Sequence, residues 1–157
     1  MKKRDLRNLR IVAWIGFVIY LIAMVYFLFF CEKMGRVSGV DYRYNLKPFA
    51  EIRRCLQYIY TDRYRYSMTL NLFGNVGCFV PLGFVLPFLS SKRWSFIKVT
   101  LLSVSASVLI EVMQLITKLG CCDIDDVILN TCGGMLGYIL FLLCRGIYRL
   151  VTKRKTV

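Results

Sequence analysis

The chain has 157 residues, of which 57% are hydrophobic and 15% aromatic, with a formal net charge of +13. That length suits one domain, and the apolar content is too high for an ordinary soluble one. The charge would suit a nucleic-acid partner, but the basic residues sort along the chain in a way that nucleic acid does not require.

Four apolar runs approach the ~20 residues that a spanning helix needs. They are Ile11–Cys31, Ser67–Ser90, Ser95–Thr117 and Val127–Val151. The expected architecture is all-α: a single membrane domain over residues 1–157 with four transmembrane helices and an outer loop at 32–66. The first run lacks the small-residue cleavage pattern of a signal peptide and is expected to remain as a helix.

Lys2, Lys3, Arg4, Arg7 and Arg10 precede the first run. Lys92, Arg93 and Lys98 lie between the second and third, and Arg145, Arg149, Lys153, Arg154 and Lys155 close the chain. That end of the bundle therefore holds thirteen basic residues against one acid, Asp5, while the other end holds nine basic and eight acidic residues. The positive-inside rule puts both termini in the cytoplasm. A basic collar of this kind attracts anionic lipid headgroups. Membrane lipids are the expected partners, and nucleic acid is not.

Seven cysteines without a C-x-x-C pair, and no histidine, argue against a zinc or thioredoxin-like site. No metal or cofactor is expected. Cys31, Cys55, Cys78, Cys132 and Cys144 read as small apolar fillers. Cys121 and Cys122 fall in an outer turn, where a disulfide to Cys31 or Cys55 is open.

In chain order, Ile11–Cys31 is apolar on every face and reads as a lipid-facing anchor. The polar loop that follows has its own pattern. Pro48 can open a helix, because its missing amide proton costs nothing in the first turn. Phe49, Ile52, Leu56 and Ile59 then recur at helical spacing, with Arg53, Arg54 and Gln57 off that stripe. This is a short amphipathic helix at the interface. Asn45-Leu46-Lys47-Pro48-Phe49 can fold down as a lid, or the loop can simply rest on the membrane. Tyr58, Tyr60, Tyr64 and Tyr66 fit an aromatic belt.

The second run carries Asn71 and Asn75 on one face, with Pro81 and Pro87 expected to kink it. In the third, Ser107, Glu111 and Gln114 form one stripe. A carboxylate within a membrane helix must be protonated, paired or exposed to a wet cavity. Gln114, Asn71, Asn75 and Arg43 are candidate partners for Glu111. Asp123, Asp125 and Asp126 begin the fourth run, where acids favour a helix N-terminus. One cap does not account for all three. Asp126, Asn130, Gly133 and Gly137 share a face, and the glycine pair permits close helix approach.

Depth sorts these groups. Glu111 lies about six residues, or roughly 9 Å, before the outer turn. Asn71, Asn75, Asp126 and Asn130 fall in the same outer half. The inner halves are almost purely apolar, which disfavours a through-going ion path. The expectation is a polar pocket opening to the outer leaflet, with candidate residues Asn45, Pro48, Asn71, Asn75, Glu111, Gln114, Asp123, Asp126 and Asn130. Gly133 and Gly137 are assigned to packing.

The ordered set Asn45-Leu46-x-Pro48-Phe49, Asn75 through Pro81 and Gly83, Glu111-x-x-Gln114, Asp123-x-x-Asp126, Asn130 and Gly133-Gly134-x-x-Gly137 resembles the VanZ-like family of small bacterial membrane proteins. Asp125, Cys121 and Cys122 lie outside that pattern, so no role is carried onto them. The resemblance implies a place in the bacterial envelope. The family's named member is associated with reduced susceptibility to teicoplanin, a glycopeptide with a lipid tail, and no catalytic mechanism comes with the family. The leading expectation is non-catalytic binding of a lipid-linked cell-wall precursor or a lipoglycopeptide. The alternative is an intramembrane enzyme acting on a lipid-linked phosphate or ester. There Glu111 would be the acid or base, and Asp123 and Asp126 would hold a divalent cation.

Overall fold

The computed structural model describes residues 3–30, 42–58, 60, 65–90 and 94–154. The described residues form five helices and one short strand pair. Helix α1 spans Lys3–Phe30, β1 Tyr44–Asn45, α2 Ala50–Tyr58, α3 Arg65–Leu89, α4 Phe96–Thr117, β2 Cys122–Asp123 and α5 Ile124–Arg154. Four helices are long and apolar enough to span a membrane: Ile11–Phe29, Arg65–Leu89, Phe96–Thr117 and Ile124–Thr152. The protein is an all-α, multi-pass membrane protein.

The expected boundaries shift at two places. Helix α5 starts at Ile124 rather than Val127, so Asp125 and Asp126 belong to its first turn. Asp123 stands just before it, and its Oδ1 accepts the Asp125 N–H at 2.8 Å. That is N-cap geometry, and it draws the helix start back to the acids. Pro48 does not open α2. It lies in a turn closed by the Ala50 N–H donating to the Lys47 carbonyl at 3.3 Å. Proline in the second place and a positive φ of 63° at Phe49 in the third match a type II turn.

The anchor reading of α1 is corrected in part. Phe17, Met24 and Leu28, at i, i+7 and i+11, are buried against Phe79, Leu82 and Leu89 of α3 and Ile110 of α4. The Tyr20 hydroxyl donates to the Cys78 carbonyl of α3. One stripe of α1 thus packs on the bundle, while Ile11, Val12, Ile15, Val18, Ile19 and Ile22 stay exposed toward lipid. An all-apolar helix shows no periodicity from which such a stripe could be read.

Helices α3 and α5 make the most extensive contact, and glycine sets its closeness. A methyl built on Gly133 would collide with the Val76 carbonyl, one on Gly137 with the Val80 carbonyl, and one on Gly83 with the Gly134 carbonyl. Lipid tails are as apolar as these helices, so close van der Waals contact must drive their association. Ser103 of α4 closes the third side against Gly134. Helix α3 runs on as helix through Pro81 and Pro87.

Short connections orient the rest. Ser95 caps α4, its Oγ accepting the Lys98 N–H at 3.3 Å. Lys118, at φ 57°, ends α4 in the left-handed region, and Gly120 follows at φ 139°. The chain then enters β2, which pairs in parallel with β1 through Tyr44 opposite Cys122 and Asn45 opposite Asp123. The end of the bundle bearing β1, β2 and α2 is called the lid end, and the opposite one the basic end.

Candidate functional site

The lid end gathers buried polar side chains from four elements, α3, α4, β2 and α5. Asn75, Gln114, Asp125 and Asn130 are 0% exposed, Asp126 2%, Glu111 3% and Asp123 7%. Groups of this polarity are costly to bury unless hydrogen-bonded, and most of these are.

Glu111 reaches up from α4 to the start of α5, where its Oε2 accepts the Asp123 N–H at 2.8 Å. This backbone partner is not among those proposed from sequence. The Asp123 carboxylate is used twice: Oδ1 caps α5, and Oδ2 accepts Asn45 Nδ2 at 3.1 Å. Asp126 Oδ1 accepts Asn75 Nδ2 at 2.6 Å, and the same amide donates to Asn71 Oδ1 at 3.2 Å. Asn130 Nδ2 donates to Ser107 Oγ at 2.8 Å. The shared face Asp126–Asn130 therefore contacts α3 with one residue and α4 with the other.

Asp125, to which the sequence reading carried no role, is a central group of the site. Its Oδ1 accepts the Phe49 N–H at 2.5 Å, and its Oδ2 accepts the Glu51 and Ile52 N–H groups at 2.8 and 3.0 Å. These are the orphan donors of the first turn of α2. Phe49 stands at the N-cap position, with its carbonyl accepting the Arg53 N–H at 3.0 Å, but it has no side-chain oxygen. A carboxylate from α5 supplies the cap instead. One signal in the sequence pointed here: three acids at a helix start that one of them can cap.

These contacts hold the Asn45–Phe49 segment and α2 against the bundle. Residues 44–58 lie over the starts of α3 and α5, joined through the strand pair, Asn45 and the α2 cap. The Cys122 N–H also donates to the Arg43 carbonyl at 2.9 Å, and Lys118 Nζ lies 4.5 Å from the centre of the Tyr42 ring. Pro48 contributes the turn rather than a contact within the corner.

The candidate residues do not all converge. Gln114 shares the buried stripe with Ser107 and Glu111, but it turns toward α1, its Nε2 donating to the Leu28 carbonyl at 2.8 Å. It fastens α1 to α4 and stands apart from the Asp126–Asn75 pair. Some buried oxygens are left without a hydrogen-bond partner: Asn75 Oδ1, Asn130 Oδ1 and Gln114 Oε1. All three are acceptors. Beside the lid lies a groove of 360 Å³ lined by Phe49, Ile52, Arg53, Leu56 and Gln57. Phe49 and Leu56 are largely exposed there, whereas Cys55 on the opposite side of α2 is buried.

The cysteines take different places. Cys55 is a free thiol 3.5 Å from Met68 Sδ, and burial followed by the nearby Glu51 charge pushes its pKa up to about 11. Cys121 and Cys122 are free thiols as well, held protonated mainly by burial and then by acids of the site: Asp123 for Cys121, and Glu111 then Asp123 for Cys122. A disulfide to Cys55 is not formed, and Cys31 lies outside the described residues, as do Ile59 and Tyr64. Cys132 and Cys144 are exposed on α5 rather than filling the interior. Among the described residues, no group of three or more His, Cys, Asp or Glu side chains could hold a metal ion. The buried acids accept hydrogen bonds from backbone amides and asparagine.

The VanZ/LLP1 family model matches residues 17–145, which takes in all the residues of this corner. The chain belongs to that family. A relative named Protein VanZ, from Enterococcus faecium, is 29% identical over 126 residues, covering 78% of this chain and 69% of the relative. No solved structure matches. The family match begins within α1 and ends at Arg145, so the lid, the α3–α5 glycine seam and the buried acids all lie within the VanZ/LLP1 region.

Proposed function

We propose that the protein binds a lipid-bearing envelope molecule, a lipid-linked cell-wall precursor or a teicoplanin-type lipoglycopeptide, at the lid end and without catalysis. The basic end then faces the cytoplasm with both termini, and the lid end faces out. The observation that carries this reading is the juxtaposition at the lid. A polar corner with unpartnered acceptors on Asn75 and Asn130 lies beneath a segment whose outer face is an apolar groove edged by Arg53 and Gln57. An amphiphile suits both parts. Its chain lies along Phe49, Ile52 and Leu56, and hydroxyl or amino donors of its head reach Asn75 and Asn130 when the lid lifts. Glu111, Asp123, Asp125 and Asp126 hold the corner in shape, and Asn45 and Asn71 complete its rim. Membership of the VanZ/LLP1 family supports an envelope role that affects glycopeptide susceptibility.

The test is a titration of the purified protein in nanodiscs with teicoplanin and with a lipid-linked cell-wall precursor. Saturable binding of one of them, weakened at least tenfold in Asn75→Ala, is expected. Absence of saturable binding to both, with the helical signal intact, refutes the proposal. Turnover of a labelled polyprenyl lipid that is lost in Glu111→Gln would replace it with the enzymatic alternative.

A further inference from the structure

Another groove lies at the basic end, and the polar corner plays no part in it. It has a volume of 490 Å³ and opens between the end of α3 and the later turns of α5. Its walls are Phe84, Pro87 and Phe88 on α3, and Phe141, Arg145 and Tyr148 on α5. The glycine seam explains why it forms there. Gly83, Gly133, Gly134 and Gly137 let the two backbones touch. Beyond them the facing positions carry Phe84 and Phe141, whose rings meet edge-on at 6.5 Å, so close backbone contact gives way to a cleft.

Arg145 decides what the cleft accepts. Its guanidinium lies 5.7 Å from the centre of the Phe141 ring, at the groove wall. At 1.5 Å per residue, Arg145 is about 32 Å along α5 from Ile124, close to the roughly 30 Å of a bilayer's hydrocarbon core. Its charge therefore reaches headgroup level with Phe88 beside it, while Phe84, which meets Phe141, stands about one turn deeper, toward the acyl chains. Phe88 is 68% exposed and Tyr148 71% exposed, so this apolar surface is open to lipid. An arginine is matched to a phosphate by its fork of donors, and a tyrosine at that level adds a hydroxyl.

We infer that the α3–α5 groove at the basic end is a site for one anionic phospholipid, its phosphate on Arg145 and one acyl chain against Phe84, Pro87 and Phe88. The site is separate from the lid-end ligand of the proposed function and does not depend on it. Arg149 lies one turn further along α5 and does not line the groove, so it serves as the control for general attraction by the basic collar.

The experiment is native mass spectrometry of the full chain released from detergent, titrated in parallel with phosphatidylglycerol and phosphatidylcholine. One phosphatidylglycerol is expected to be retained about tenfold more tightly than phosphatidylcholine, a preference of ~1.4 kcal/mol. Arg145→Gln is expected to bring the two lipids within twofold of each other, Arg149→Gln to change the ratio less than twofold, and Arg145→Lys to keep part of the preference. All variants are checked for an unchanged thermal midpoint. Equal retention of the two lipids by the wild type would mean annular lipid only and overturn the inference. So would equal losses in Arg145→Gln and Arg149→Gln, which would assign the effect to the collar. A dimer that excludes lipid would give the groove to a second copy of the chain.

Discussion

Replacing Asp125 with alanine should free the lid while leaving the bundle folded. The carboxylate accepts three backbone N–H groups, from Phe49, Glu51 and Ile52, at 2.5–3.0 Å. Helix α2 has nine residues, fewer than the ~12 at which an isolated helix becomes even marginal in water. It therefore depends on its cap and on packing through Cys55. A lost cap costs about 0.5–2 kcal/mol, and donors left without a partner cost about 1–3 kcal/mol each when water cannot reach them. The Phe49 backbone at φ 63° is a conformation that a bulky residue adopts only when held there, at about 1–3 kcal/mol. Water satisfies part of the deficit at this rim, so a loss of about 3 kcal/mol in local stability is a reasonable sum. That corresponds to roughly a hundredfold rise in opening. Hydrogen exchange read by mass spectrometry should show amides 50–58 exchanging about a hundredfold faster in Asp125→Ala, with α3, α4 and α5 unchanged. Asp125→Asn keeps one acceptor oxygen and should give an intermediate rise. Exchange at 50–58 within twofold of wild type would refute the capping argument. Equal acceleration throughout α3–α5 would show that Asp125 holds the bundle rather than the lid.

Three further outcomes follow from the packing and the titrating groups. Gly137→Ala should lower stability by about 1–3 kcal/mol, because its methyl meets the Val80 backbone, which cannot move aside as a side chain could. Gly77→Ala and Gly146→Ala have open space around the new methyl and should change stability by less than about 0.5 kcal/mol, so thermal melts in detergent separate seam from surface. Gln114→Leu combined with Tyr20→Phe removes two hydrogen bonds that tie α1 to its neighbours. At about 0.6 kcal/mol each, the double variant should loosen α1 by ~1 kcal/mol, read as easier removal of a spin label on α1 from contact with α3. Cys55 has its pKa raised by burial from 9.0 to about 11, so the neutral thiol is the form the fold favours. Its contribution is complete below about pH 9 and is lost as pH rises through about 11. Maleimide should label Cys55 slowly at pH 7, faster toward pH 11, and quickly at pH 7 once Asp125→Ala opens the lid. Labelling of wild-type Cys55 at pH 7 as fast as that of the exposed Cys132 would contradict the buried placement.

Some of this architecture is carried by composition and periodicity alone. Four apolar runs near membrane length leave a chain little choice, since helices satisfy their own backbone hydrogen bonds within lipid. The amphipathic stripe after Pro48 indicated α2, and glycines four apart on one face indicated the α5 seam. The buried acids also stood out in the sequence, because a carboxylate within an apolar run demands a partner wherever the chain goes.

The identity of those partners was a matter for the tertiary structure. Glu111 could have met an amide or a cation, and it meets the Asp123 backbone N–H because the α4–α5 turn brings that group over it. Gln114 shares a stripe with Glu111 but turns to α1, since a stripe of fixed width on α4 sits at the junction of two neighbours. The packed stripe of α1 left no trace in a run that is apolar all round. The clearest case is Asp125. Local sequence could say that three acids exceed what one helix start uses. Only the fold brings a second helix start, 76 residues earlier and without a capping side chain of its own, to within 2.5 Å of the surplus carboxylate. Sequence periodicity determines which face of an element must be buried; which neighbour meets that face depends on connections between distant segments, and no local pattern encodes them.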